Sequence, residues 1–199
     1  MEYIAYFDIE GTPEDTCEVG IIIADSEERM MIDVACFYAI PENIQNFQHE
    51  SRHCHGLNIS NLKEIATCCQ SQHELQTRVT AFLRKYNVKT IIGHDGPCLS
   101  RKSDNDSFLQ RSGYSGYKYV NEPPLHNWAE RDYQGYHCTA LHFKKNRLPL
   151  LGVRCLANYS ESIVVTQGAP RTVNAKSRAG GHCALYDSFE SFLFHDGVL

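Results

Sequence analysis

The sequence predicts an α/β domain built on a mixed sheet flanked by helices. Three strand-like apolar runs come in succession before any helical periodicity, and helical and strand-like segments then alternate. The length of 199 residues, with 42% hydrophobic and 22% charged residues, suits one globular domain, residues 1–199, around a single sizeable core. An acidic pair closes the first apolar run, and acids recur midway and near the end.

Tyr3 to Ile9 reads as a buried strand with the acidic pair at its C-terminal end. Thr12-Pro13-Glu14-Asp15 is a turn, and Cys17 to Ala24 and Met30 to Tyr38 complete a β-meander. Residues 41–57, carrying His49, Arg52, His53 and His55, read as an irregular loop. Asn61 to Tyr86 contains no Gly or Pro and reads as one helix, with Leu62, Ile65, Ala66, Leu75, Val79, Phe82 and Leu83 at mostly helical spacing. Val88 to Ile92 is a short strand ended by Gly93. Asp104 to Gln110 forms a helix whose first turn suits acids, and Tyr117 to Val120 a further strand. Pro123-Pro124 stops that strand and opens a helical region from Leu125 to about His142. Leu148 to Tyr159 is a short helix with Pro149 in its first turn, and Ile163 to Thr166 is a β-branched run. Gln167 to Gly181 is a basic, glycine-containing loop, and Cys183 to Phe194 is the closing helix. There is no internal repeat and no linker.

Composition narrows the function classes. A net charge of -5 excludes a basic nucleic-acid coat, although basic residues can still be grouped locally. No stretch approaches the roughly 18 apolar residues of a membrane span, so no membrane partner is expected. The N-terminus lacks the basic region and long apolar core of a signal peptide and enters a strand at once, as expected of a trimmed domain boundary. Nine cysteines, an odd number without a secretory signal, argue against a disulfide framework. Most are expected to be small buried residues, leaving two or three as metal ligands.

Asp8 and Glu10 are i and i+2 on a strand, so both carboxylates leave the same face and can share metal ions. The plain alternative is a solvated turn after a strand. His182 precedes Asp187 by five residues. A helix starting near Ala184 leaves the imidazole on the preceding loop as a general base, with Asp187 in the first turn as a metal ligand. The alternative is a capping His and a surface Asp. The middle acid has three candidates, Asp104, Asp106 and Asp95. Asp104 is preferred because the apolar pair Phe108-Leu109 then falls one turn later. Such a set fits two divalent cations, Mn²⁺ or Mg²⁺, roughly 3.5–4 Å apart, that activate water and stabilise a leaving oxygen. The expected reaction is hydrolysis of a phosphodiester.

The constellation resembles the DEDDh family of 3′-to-5′ exonucleases, which have a ribonuclease-H-like fold. Asp8-Ile9-Glu10-Gly11-Thr12-Pro13-Glu14-Asp15, Glu18-Val19, Ser51-Arg52-His53-Cys54-His55-Gly56-Leu57 and His182-Cys183-Ala184-Leu185-Tyr186-Asp187 resemble, more closely, the C-terminal exonuclease domain of arenavirus nucleoproteins. The likeness runs from about Tyr6 to Leu199 and is weak between Pro97 and Gly181. It implies a domain of a viral nucleoprotein, found in the virion and the host cell cytoplasm within the ribonucleoprotein. It also implies degradation of RNA, preferentially double-stranded, from the 3′ end. Suppression of interferon induction follows, by removal of the RNA that host sensors detect, with host interferon-pathway factors as further partners.

By motif, the resemblance makes Asp8, Glu10 and Asp187 the ligands of the catalytic cations, Asp104 the middle acid and His182 the general base. Gly11 gives the backbone room beside the site, and Arg52 and His53 lie near the substrate. The family pattern includes a structural zinc, to which Glu18, Cys155 and Cys183 correspond. Asn158 stands where the pattern has His, so the fourth ligand is unassigned; Cys138 and His142 offer another pair at i and i+4.

Lys144, Lys145 and Arg147 form one basic group, and Arg171, Lys176 and Arg178 another. Lys176 and Arg178, just before His182, are placed to grip phosphates without reading bases. Tyr114, Tyr117 and Tyr119 read as sheet and core residues rather than a base-stacking platform. Two other classes compete with an enzyme: a catalytically idle RNA-binding module on the same fold, and a zinc-stabilised structural domain.

Overall fold

A computed structural model of the chain describes residues 2–28, 30–53, 57–65, 67–93, 103–121 and 184–195. Among the described residues, five strands form one sheet: β1 (Tyr3–Thr12), β2 (Asp15–Asp25), β3 (Met31–Tyr38), β4 (Thr90–Gly93) and β5 (Lys118–Asn121). Among the described residues, five helices accompany them: α1 (Ile44–His53), α2 (Ile59–Glu64), α3 (Gln72–Lys85), α4 (Asp104–Arg111) and α5 (Ala184–His195). The strand order is β3-β2-β1-β4-β5, with β1, β2 and β3 antiparallel and β4 and β5 parallel to β1. The predicted mixed sheet and its opening meander are both present.

Helices cover the sheet on both sides, which explains why Ile21, Ile22 and Ile23 are all fully buried rather than alternating. One face, with Tyr6, Ile22, Cys36, Tyr38 and Ile92, packs against Phe47, Leu57, Leu62, Leu185 and Phe192. The other, with Phe7, Val19, Ile21, Ile23 and Ile91, packs against α3 through Leu75, Val79 and Leu83 and against α4 through Phe108 and Leu109. Each such side chain contributes about 1.5–3 kcal/mol on burial, so these two layers carry the fold.

Two expectations are corrected. Residues 44–53 of the expected 41–57 loop are helical. Asn43 caps α1, its Oδ1 accepting the Asn46 N–H at 3.0 Å, while Phe47 is buried and Asp15 accepts the N–H groups of Glu42 and Asn43 at 2.7 and 2.8 Å. The expected single helix from 61 to 86 is two, because the chain between them is drawn onto the end of β3. Cys69 donates to the Tyr38 carbonyl at 2.8 Å, and Ile40 donates to the Cys69 carbonyl at 3.0 Å. A capped start follows at α3, where Ser71 Oγ accepts the Glu74 N–H at 3.2 Å and Glu74 accepts the Gln70 N–H at 2.9 Å. The expected elements between Leu125 and Thr166 and the loop from Gln167 to Gly181 lie outside the described residues.

Candidate metal centre and active site

The acidic pair sits near the C-terminal end of β1, a central strand of the sheet. Directly opposed residues in an antiparallel pair share a face. Asp8 opposes Gly20 and Glu10 opposes Glu18, so one face there carries three carboxylates and one gap. The register shifts between Glu10 and Gly11, and Gly11 adopts φ +101. A Cβ there would lie 2.6 Å from the Asp15 carbonyl oxygen, so the β1–β2 turn itself requires glycine at this position.

The gap at Gly20 is filled by the first turn of α5. A Cβ on Gly20 would lie 2.2 Å from both the Ala184 carbonyl carbon and the Leu185 nitrogen. Ser188 Oγ donates to the Gly20 carbonyl at 3.0 Å. Glu18, fully buried, accepts the Ala184 N–H at 3.3 Å, where a carboxylate suits a helix N-terminus. The Cys36 thiol donates to the other oxygen of Glu18 at 3.4 Å. Further along α5, Leu185 is buried and Phe192 meets Tyr6 edge-on, with ring centroids 5.4 Å apart.

This seating brings the far end of the chain onto β1. Asp8, Glu10 and Asp187 each offer an oxygen within 4.8 Å of the others. Asp8 is partly exposed and Glu10 is buried. Carboxylates that close repel, and a divalent cation is the partner that offsets the repulsion. The donor set is all oxygen, which fits hard cations such as Mg²⁺ or Mn²⁺ rather than a thiolate-type zinc site.

Asp104 lies outside this mutual reach, exposed in the first turn of α4. Its neighbour Asn105 is buried and donates Nδ2 to Asp8 Oδ1 at 3.3 Å. Asp106 faces elsewhere, accepting the Tyr117 hydroxyl and Gln110 Nε2, each at 2.7 Å. Burial, aided by the hydrogen bond to Asp106 and its charge, pushes the Tyr117 phenol well above its ordinary value. Tyr114 stacks on Tyr117 at 5.5 Å and donates to the Val88 carbonyl at 2.8 Å. Tyr114 and Tyr117 are therefore packing residues, and Tyr119 lies in β5, as the sequence predicted.

Arg52 and His53 close α1 rather than lying on a loop. Asp95, His182, Cys155, Cys183, Cys138, His142, Lys176 and Arg178 lie outside the described residues. Sequence reasoning missed Gly20 and Asn105. The pairing Asp8↔Gly20 needs the β1–β2 register, and the choice of Asn105 over its acidic neighbours needs the phase of α4.

No family model matches the chain, and no curated protein matches it. Solved structures do. E. coli exonuclease I in complex with a dT13 oligonucleotide superposes with a TM-score of 0.57 at 14% identity, over 100% of this chain and 41% of that one. A 3′-exonuclease that recognises a histone mRNA stem-loop gives 0.51 at 14% identity, over 99% of this chain and 81% of that one. A product-bound exonuclease I gives 0.50 at 14% identity, over 98% of this chain and 46% of that one. The chain spans less than half the length of the exonuclease I structures. The shared architecture is the ribonuclease-H-like mixed sheet with flanking helices.

Proposed function

We propose that this chain is a divalent-cation-dependent 3′-to-5′ exoribonuclease. The observation that carries the reading is the convergence of Asp8, Glu10 and Asp187, from opposite ends of the chain, within 4.8 Å. The same fold occurs in a 3′-exonuclease that recognises a histone mRNA stem-loop and in exonuclease I in complex with an oligonucleotide, which supports a nucleic-acid substrate.

Asp8, Glu10 and Asp187 would hold the cation, Mn²⁺ or Mg²⁺, with Asp104 as the middle acid. A divalent cation bound there supplies Lewis-acid stabilisation of charge on the phosphate and lowers the pKa of water. His182 takes the proton from the attacking water as general base. Arg52, His53, Lys176 and Arg178 contact the substrate backbone. Duplex RNA is the preferred substrate, because phosphate and 2′-hydroxyl contacts recognise its shape without reading sequence.

The motif resemblance to arenavirus nucleoproteins extends the reading. The chain is a single exonuclease domain of a viral nucleoprotein, acting in the host cell cytoplasm and carried in the virion's ribonucleoprotein. There it removes RNA that triggers interferon induction. A structural zinc on Glu18, Cys155 and Cys183 accompanies it, and metal analysis of the purified protein tests that part.

The test is a gel of a duplex RNA, 5′-labelled on one strand, in Mn²⁺, Mg²⁺ and EDTA. Stepwise shortening in metal, absent in EDTA and in Asp8→Ala, is expected. Undiminished shortening by a folded Asp8→Ala protein rejects the reading, and binding without shortening in any cation identifies an idle RNA-binding module instead.

A further inference from the structure

We propose that Asn105 is a positioning residue that fixes the orientation of the Asp8 carboxylate for cation binding. The inference rests on the reading of Asp8, Glu10 and Asp187 as a cation site. Asn105 is 1% exposed, on the buried side of the first turn of α4, and its Nδ2 donates to Asp8 Oδ1 at 3.3 Å. An asparagine amide offers two N–H donors and no charge, so it can hold one oxygen of a carboxylate without competing for the cation.

The surroundings fix Asn105 in turn. Phe108 and Leu109, on the same helix, are fully buried, and Phe108 lies 6.0 Å from Phe7, the residue before Asp8. At the end of β4, Gly93 leaves an opening into which two neighbours extend. A Cβ there would lie 2.1 Å from the Tyr119 hydroxyl and 3.1 Å from Asn105 Nδ2. Gly93 thus clears the space in which the Asn105 amide meets Asp8, and Tyr119 from β5 bounds it. Three elements, α4, β4 and β5, converge on the orientation of one carboxylate of β1.

A ligand carboxylate free to rotate loses cation affinity, and removing such an outer partner typically costs about 10–100-fold. The experiment compares wild type, Asn105→Leu and Asn105→Ala. Leu keeps the bulk and removes the donor; Ala removes both. Mn²⁺ affinity is read by calorimetry without RNA, alongside thermal stability and the kcat and KM of RNA shortening.

Both variants are expected to bind Mn²⁺ at least tenfold more weakly and to lose kcat, with KM for RNA unchanged. Wild-type Mn²⁺ affinity in Asn105→Leu, with Asn105→Ala merely less stable, assigns a packing role and overturns the proposal. Asp8→Ala separates the two levels. If it abolishes Mn²⁺ binding while Asn105→Leu binds normally, only the Asn105 assignment falls; if Asp8→Ala binds and cuts normally, the reading of the site falls with it. Should the Asn105 variants not fold, the wild type still decides. In a ¹⁵N spectrum the Asn105 side-chain amide must shift as Mg²⁺ is added, and an amide unmoved at saturation contradicts the proposal.

Discussion

Gly20 and Ala184 touch backbone to backbone: a Cβ on Gly20 would lie 2.2 Å from the Ala184 carbonyl carbon. Gly20 lies opposite Asp8 in the β1–β2 ladder, and Ala184 begins the helix that carries Asp187. The absence of one side chain on β2 therefore lets acids from opposite ends of the chain meet. Gly20→Ala is expected to push α5 off the sheet. The cost is about 1–3 kcal/mol of overpacking, several degrees in Tm by calorimetry, together with a marked loss of Mn²⁺ affinity as Asp187 withdraws. Unchanged stability and affinity would show that α5 is not seated through this contact.

How much of this was legible beforehand follows from the range of the interactions. Asp8 and Glu10 share a face because strand geometry alternates side chains, which two residues of spacing suffice to reveal. Asp187 in the first turn of a helix starting at Ala184 was equally local. Residues 44–53 were misread because polar Gln45, Asn46, Gln48 and His49 hid the buried anchor Phe47, although Asn43 was a capping signal. The break between α2 and α3 was invisible to periodicity, since Cys69 bridges Ala39, just past the end of β3, a contact made across thirty residues of sequence. Gly20 and Asn105 carry no signature of their own; each acquires its role from the element it faces.

Divalent cation should stabilise the fold. Binding to the native cluster, absent from the unfolded chain, adds about 2.7 kcal/mol at a hundredfold excess over Kd. Mg²⁺ or Mn²⁺ is thus expected to raise Tm, EDTA to reverse the rise, and Asp8→Asn to abolish it. In the metal-free state Asp8→Asn should be no less stable than wild type, because it removes one of three mutually repelling charges. A metal-induced rise that persists in Asp8→Asn would locate the cation elsewhere.

Acid sensitivity should trace in part to Asp33. Burial raises its carboxyl, but hydrogen bonds from the Tyr86 hydroxyl, Lys85 and the Val34 N–H outweigh that and hold it below its ordinary value. A depressed folded value favours the native state fully above the unfolded value of about 3.9, and the benefit disappears as pH falls through the lower folded value. The stability difference between wild type and Asp33→Asn is expected to be constant from about pH 5 to 7 and to close below about pH 4. Urea titrations across that range read it directly, and a gap that widens in acid would contradict the sign.

Four thiols should be inert. Cys17, Cys36, Cys68 and Cys69 are buried and unbridged. Burial, with smaller contributions from Cys69 and Glu74 against Arg78, pushes the Cys68 thiol up to about 12, and burial raises Cys69 as well. Thiolate is the reactive form, so iodoacetamide at pH 8 should leave all four unmodified in the native protein and label them after denaturation. Rapid native labelling of Cys68, read by peptide mass spectrometry, would contradict its packing in the layer with Leu62 and Ile65.

The central claim is that Asp187, remote in sequence, completes one cation site with Asp8 and Glu10. A Mn²⁺ titration of wild type and Asp187→Asn, followed by electron paramagnetic resonance of free Mn²⁺, tests it most directly. The account predicts saturable binding in the wild type and a loss of at least tenfold in affinity in the variant, with the fold intact by circular dichroism. Equal affinity in the two proteins would contradict it.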